Sequence, residues 1–153
     1  MEEYKHFLKQ AIKHLQLADH MTYVTLPIVN EKRLIIKIFE EIYKSIENSL
    51  NSAINYEFIK KNIILHKDHE KNISNFLENI SKKYELNEKE IIKIKKIIEI
   101  EEKYEKSAIE FVKKEKVVIM LDNLDIQTLT VKEIKNYLLT ARELLIKVGH
   151  KVR

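Results

Sequence analysis

Cysteine is absent from the 153-residue sequence, and glycine and proline each occur once. The lack of cysteine excludes disulfide bonds, thiolate metal ligands and thiol nucleophiles. A single glycine cannot build the glycine-rich loops that hold nucleotide phosphates, so the nucleotide-binding folds that depend on them are excluded. Folds with many strands also use glycine and proline at their turns. These absences favour a fold built mainly of helices.

Long apolar runs are also missing. No run reaches the roughly 18 residues that a membrane-spanning helix needs. The chain opens with acidic residues and continues as an amphipathic segment, whereas a secretory signal begins with a basic region that an apolar one follows. We therefore expect a cytoplasmic protein that does not contact membranes.

Arginine is scarce among the basic residues. Only three of the 28 lysine and arginine residues are arginine, and the formal net charge is +4. Nucleic-acid-binding proteins favour arginine and usually cluster their positive charge, whereas lysine alternates with glutamate along this chain. Nucleic acid is therefore an alternative partner that the composition does not favour.

Apolar residues recur at steps of three and four in five segments, which is the pattern of helices with one buried face. The second segment is the longest and has the widest apolar stripe, so we expect it to lie at the centre of a bundle. The apolar linker 23–29, which contains Pro27, should separate the first two helices. The predicted helices are 2–21, 30–58, 68–84, 87–106 and 131–148.

Capping residues mark several of the predicted helix ends. Asn30 is a suitable N-cap for the central helix, and Asn87 and Thr130 each begin a capping box. Gly149, the only glycine, lies where a C′ residue of the last helix is expected.

A different pattern follows the fourth helix. Residues 107–110 match a capping box and predict a short helical turn that ends near Lys113. Residues 117–121 are apolar on both faces and predict a strand of a small β-hairpin near 117–129. We therefore predict a single domain over 1–153, a predominantly all-α, antiparallel bundle of about five helices with one small hairpin.

Small polar residues occupy one face of the second half of the central helix, at Ser45, Asn48, Ser49 and Ser52. Because small side chains allow a neighbouring helix to approach closely, we interpret this face as a tight helix crossing. The hydroxyl groups would then bond to backbone carbonyls of the preceding turn. The alternative interpretation is a polar pocket in the core.

His66 and His69, with Asp68 between them, are a candidate metal site. On a helix the two imidazoles would share a face, and imidazole together with carboxylate can bind zinc. A third ligand would have to come from elsewhere, and Asp19 and His20 are the candidates. The competing interpretation is that Asp68 caps a helix, and we expect no metal or other cofactor.

Residues 2–58 consist of a helix with Ala11, Leu15 and Ala18 at its core, a short break, and a long helix that runs through Glu47, Leu50 and Ala53. This pattern resembles the HEPN superfamily of helical bundles, and the whole chain is similar to uncharacterised archaeal proteins of this length. Nuclease members of HEPN place a histidine a few residues after an arginine and a polar residue. Arg142, Glu143 and His150 come closest to that motif, with a wider spacing. The resemblance implies a non-catalytic, often dimeric, helical module.

Three functional hypotheses follow. The first is a non-catalytic interaction module that acts through a homodimer or a protein partner, because the strand 117–121 and the central helix have wide apolar surfaces. The second is RNA association, with Arg142 and His150 as candidate catalytic residues and the lysines at 113–116 as a basic surface. The third is a metal-dependent enzyme centred on His66 and His69.

Overall fold

The computed structural model describes residues 2–29, 31–107, 109–113, 116–120 and 126–153. Within these ranges six α-helices and three strands follow one another in chain order: α1 (Glu3–His20), α2 (Leu26–Val29), α3 (Leu34–Ile59), α4 (His69–Asn75), α5 (Glu88–Ser107), β1 (Ile109–Lys113), β2 (Lys116–Met120), β3 (Ile126–Thr130) and α6 (Val131–Val152). A π-helical turn, Met21–Thr25, joins α1 to α2. A second π-helical turn, Phe76–Ile80, and a 3-10 turn, Ser81–Tyr84, prolong α4. The predicted fold class, mostly helical with a small hairpin, is confirmed.

The helix α3 lies at the centre of the bundle, as its wide apolar stripe predicted. It packs against α1, α4, α5 and α6, so its apolar residues contact neighbours on several sides. The core continues from α3 through the apolar faces of α5 and α6 to the inner face of the sheet. The completely buried side chains of α3 include Ile35, Ile38, Ile42, Ile46 and Leu50.

Small residues form the crossing between α1 and α3. Ser45 Oγ donates a hydrogen bond to the backbone carbonyl of Ala11 at 2.8 Å, and Ser52 Oγ donates to that of Tyr4 at 2.6 Å. A helical carbonyl can accept these bonds because its oxygen has a second lone pair. The tight crossing is therefore confirmed. The predicted bonding of the hydroxyls to their own helix is wrong for these two serines, because α1 approaches closely enough to accept from them.

The segment 23–29, predicted as a linker, is helical. Leu26 has right-handed helical backbone angles, φ −59° and ψ −45°. Pro27 directly follows the π-helical turn, in which the N–H of Leu26 bonds to the carbonyl of Met21, so the helical backbone continues from α1 into α2. The predicted N-cap of the central helix, Asn30, lies outside the described residues.

The hairpin predicted near 117–129 is formed by β2 and β3, which pair antiparallel with Val117 opposite Leu129. β1 pairs with the other edge of β2, so the sheet has three strands in the order β1-β2-β3. The short helical turn predicted over 107–113 is therefore wrong. The segment IEFVK is rich in β-branched and aromatic residues, and its pairing with β2 outweighs the local capping-box signal.

Both faces of β2 are covered within the chain. Val117 and Ile119 pack into the main core, and Val118, which points to the opposite face, is only 4% exposed. The apolar strand therefore needs no second molecule to cover it.

Both described capping boxes are confirmed. The backbone N–H of Glu90 donates to Asn87 Oδ1 at 2.8 Å, and the backbone N–H of Asn87 donates to Glu90 Oε1 at 3.0 Å. Thr130 Oγ1 accepts from the backbone N–H of Glu133 at 3.1 Å at the start of α6.

The predicted helix end at Gly149 is wrong, because α6 continues through this residue to Val152. The left-handed residues that follow helices are instead Lys61, with φ 62°, and Glu85, with φ 58°. After α3, the N–H of Asn62 bonds to the carbonyl of Glu57, which is the pattern of a Schellman helix end. The left-handed backbone conformation, which glycine adopts most easily, is therefore adopted here by a lysine and a glutamate.

Candidate functional site

The structure separates the two histidines that the sequence suggested as metal ligands. His69 is the first residue of α4, whereas His66 precedes the helix, so they do not share a helical face. Asp68 caps α4, and its Oδ1 accepts from the N–H of Glu70 at 3.0 Å. Both imidazoles are on exposed residues. Within the described part of the chain, no three histidine, cysteine, aspartate or glutamate side chains are grouped so that they could hold a metal ion.

Arg142 and His150 lie two turns apart on α6, about 12 Å along the helix axis. Arg142 Nη2 bonds to Asp19 Oδ1 of α1 at 2.6 Å, so this aspartate, a candidate third metal ligand, is engaged with the arginine. His150 is exposed at the mouth of a small cavity of about 210 Å³ between α1 and α6. The other candidate ligand, His20, is exposed at the end of α1. The structure does not bring these groups together.

Three buried glutamates, Glu41, Glu57 and Glu90, have bonding partners. Glu41 Oε2 accepts from Nδ1 of the His14 ring at 2.6 Å. Glu57 Oε2 accepts from the Tyr84 hydroxyl at 3.0 Å. Glu90 accepts from Lys147 Nζ at 2.6 Å and 2.8 Å. These contacts join α3 to α1, α3 to the helical segment that ends at Tyr84, and α5 to α6. We assign all three carboxylates to holding the bundle together.

A fourth buried glutamate, Glu101 of α5, is different. It is only 7% exposed, and its Oε2 has no hydrogen-bond partner among the described residues. Burial, the largest cause, and three nearby carboxylates together raise the pKa of Glu101 from 4.5 to about 7. These carboxylates belong to Glu105 on the same helix and to Glu40 and Glu47 on α3, and Lys44 of α3 acts in the opposite direction.

Glu40, Glu47, Glu101 and Glu105 form what we call the carboxylate cluster. A groove of about 440 Å³ runs beside this cluster, between α4 and α5. Its floor is apolar and is made of Ile73 and Leu77, which are buried on the α4 side, and Ile98, which is half-buried on α5. Tyr43 of α3 completes the lining. Polar and charged residues form the rim: His69, Glu70, Ser74, Lys95, Glu99, Glu102 and Glu105.

The rim of the groove is acidic, although the whole protein has a formal charge of +4. The lining contains four glutamates and one lysine. Lys103, which lies outside the lining, forms an ion pair with Glu99, with its Nζ 2.7 Å from Glu99 Oε1. The Tyr43 hydroxyl donates to Glu47 Oε2 at 3.0 Å, which joins the groove to the carboxylate cluster. Burial and the charge of Glu47 raise the pKa of Tyr43, so its hydroxyl stays protonated and acts as a donor.

The groove combines an apolar floor with a polar rim. An apolar floor with a polar rim is the usual composition of a surface that accepts an amphipathic segment. Sequence reasoning identified His69 but missed the groove. The signal available was Glu101, which lies seven residues after Ile94 and four after Ile97, on the buried stripe of its helix.

No protein-family model, curated protein or solved structure matches the chain. The resemblance to HEPN proteins therefore stays a prediction. Among the described residues, no helix is both long enough and apolar enough to cross a membrane.

Proposed function

We propose that the protein is a non-catalytic interaction module that binds a helical segment of a protein partner in the groove between α3, α4 and α5. The observation that carries this proposal is the groove of about 440 Å³, whose apolar floor is formed by the buried Ile73 and Leu77 and the half-buried Ile98. Ile73 and Leu77, four residues apart, line the groove from the α4 side, and Ile98 lines it from α5. Such a groove accepts a third helix by the same packing that holds helices together in a bundle.

The size of the groove supports a helix as its occupant. On α5 the lining extends from Lys95 to Glu105, which is roughly 15 Å along the helix axis. A partner helix of about three turns would cover that length. The other surfaces that suggested an interaction module, the strand β2 and the stripe of α3, are covered by the chain itself.

The proposal is tested with model amphipathic helices as probes. Three fluorescein-labelled peptides of about five turns carry leucine on one face and lysine, glutamine or glutamate on the other. Fluorescence anisotropy should show that the wild-type protein binds at least one of them. The variant Ile98→Asp, which places a charge on the groove floor, should weaken that binding at least about tenfold because an unpaired carboxylate would be buried under the peptide.

The matched control is Ile92→Asp on the same helix, because Ile92 is 66% exposed and does not line the groove. Circular dichroism establishes that both variants are folded. If the wild type binds none of the three peptides, or if the two variants lose binding equally, the groove is not the interaction site.

A further inference from the structure

The groove and the carboxylate cluster share two residues. Tyr43 and Glu105 line the groove, and both also face the cluster: the Tyr43 hydroxyl bonds to Glu47, and the Glu105 charge acts on Glu101. Anything that binds in the groove therefore lies next to the charges that determine whether Glu101 is ionised.

We infer that the groove takes a basic amphipathic helix of a partner protein, and that seating this helix is coupled to ionisation of the buried Glu101. This inference rests on the proposed function, for which it names the partner chemistry and a regulation by pH. Two observations support the inference: the negative charge of the groove rim and the buried Glu101 oxygen that has no hydrogen-bond partner among the described residues.

Charge complementarity selects the basic helix. Four of the groove-lining residues are glutamates: Glu70, Glu99, Glu102 and Glu105. Lys95 in the lining and Lys103 beside Glu99 offset part of this charge, and the glutamates still outnumber them. An acidic helix would set like charges against this rim, and a neutral helix would gain nothing from its negative charge. Lysine side chains that flank an apolar stripe would reach the rim while leucine or isoleucine side chains cover the floor.

The unpartnered oxygen gives the site its pH dependence. Glu101 Oε2 is buried without a hydrogen bond from any described residue, and the charged or titratable groups that face it are Glu40, Tyr43, Lys44 and Glu47 from α3 and Glu105 from α5. These surroundings hold the free protein in a state that is half protonated at Glu101 near pH 7. A cation placed beside Glu105 favours the ionised carboxylate.

Linkage converts this preference into a measurable property. If the cationic helix favours ionised Glu101, binding releases the Glu101 proton, and the affinity must increase as the pH rises. With a pKa of about 7 in the free protein and a carboxylate that stays ionised in the complex, the affinity increases about tenfold from pH 6 to pH 8.

The experiment compares the three labelled peptides at pH 6 and pH 8 in low salt. The lysine peptide should bind most tightly, the glutamate peptide least, and added salt should weaken binding of the lysine peptide. Its affinity for wild type should increase about tenfold from pH 6 to pH 8, and in Glu101→Gln the increase should shrink below about twofold. His69 also lines the groove, so His69→Gln is measured alongside and should keep most of the pH dependence.

A measurement on the wild type alone makes the result independent of how the variants fold. Titration calorimetry in two buffers of different ionisation enthalpy should show release of about half a proton per lysine peptide bound at pH 7. Release of none, or an unchanged pH dependence in Glu101→Gln, would overturn the coupling.

The outcomes separate this inference from the proposed function. If the glutamine peptide binds as tightly as the lysine peptide, the basic partner is wrong while the interaction module stands. If no peptide binds, the module itself fails. If the wild type sediments as a dimer and Ile98→Asp as a monomer, a second copy of the chain occupies the groove, and the basic partner is again wrong.

Discussion

Replacing Glu101 by glutamine should make the stability of the protein less sensitive to pH. The folded protein holds the Glu101 proton up to about pH 7, because burial and nearby carboxylates raise the pKa from its ordinary value of 4.5. The stabilising effect of this proton is complete below about pH 4.5 and is lost as the pH rises to about 7. The difference between the two pKa values corresponds to at most about 3 kcal/mol of folding free energy.

Glutamine has almost the shape of glutamate and does not ionise. The free energy of unfolding of Glu101→Gln, relative to wild type, should therefore increase by about 2–3 kcal/mol between pH 5 and pH 8. Urea unfolding followed by circular dichroism at several pH values measures this quantity directly. Because both proteins share all other titrating groups, the pH dependence of those groups largely cancels in the difference.

The control is Glu143→Gln, an exposed glutamate on α6, which should change stability by no more than about 0.5 kcal/mol at any of these pH values. If the relative stability of Glu101→Gln does not change with pH more than that of the control, Glu101 ionises normally. The physical account of the carboxylate cluster, and with it the pH dependence of the groove, would then be refuted.

Four further changes test the packing by urea unfolding. Lys61→Gly should stabilise the protein by about 0.5–1 kcal/mol, because Lys61 has φ 62°; destabilisation would mean that the lysine side chain contributes more than its backbone strain removes. Gly149→Ala should stabilise by about 1 kcal/mol, since a Cβ there contacts nothing closer than 4.0 Å; no gain would show that α6 is frayed at this residue. Ala11→Leu should destabilise by about 3 kcal/mol by pushing α1 away from α3, and a neutral result would contradict the tight crossing. Tyr84→Phe should cost about 1–2 kcal/mol by removing the hydroxyl that donates to Glu57, and an unchanged midpoint would show that other donors satisfy this carboxylate.

The parts of the fold that the sequence predicted are those set by local pattern. The three- and four-residue spacing of apolar side chains located the long helices, and the capping boxes at Asn87 and Thr130 placed two of their starts. The tight crossing of α1 and α3 was also predictable, because small residues at Ser45 and Ser52 fall on one face. In each case the residues that decide the structure are neighbours along the same helix.

The parts that sequence reasoning missed depend on contacts between distant segments. The segment that becomes β1 carries a capping-box pattern, and only its pairing with β2 makes it a strand. Gly149 follows an apolar stripe as a C′ glycine would, yet α6 stays helical past it to Val152, whose side chain is buried in the core. The groove was missed for the same reason, since its floor combines Ile98 of α5 with two residues from the α4 side.

Two buried side-chain oxygens, Ser49 Oγ and Glu101 Oε2, have no hydrogen-bond partner among the described residues, and of the two groups only the Glu101 carboxyl ionises. The other three buried glutamates, Glu41, Glu57 and Glu90, each have a donor, so their carboxylates connect segments of the bundle. Glu101 connects nothing through its Oε2, and its neighbours include like charges. Glutamine or leucine at this position would remove the unfavourable ionisation without any change of fold. A residue that breaks a folding rule in this way is best explained by a role in function, and the groove that shares Tyr43 and Glu105 with its surroundings supplies one.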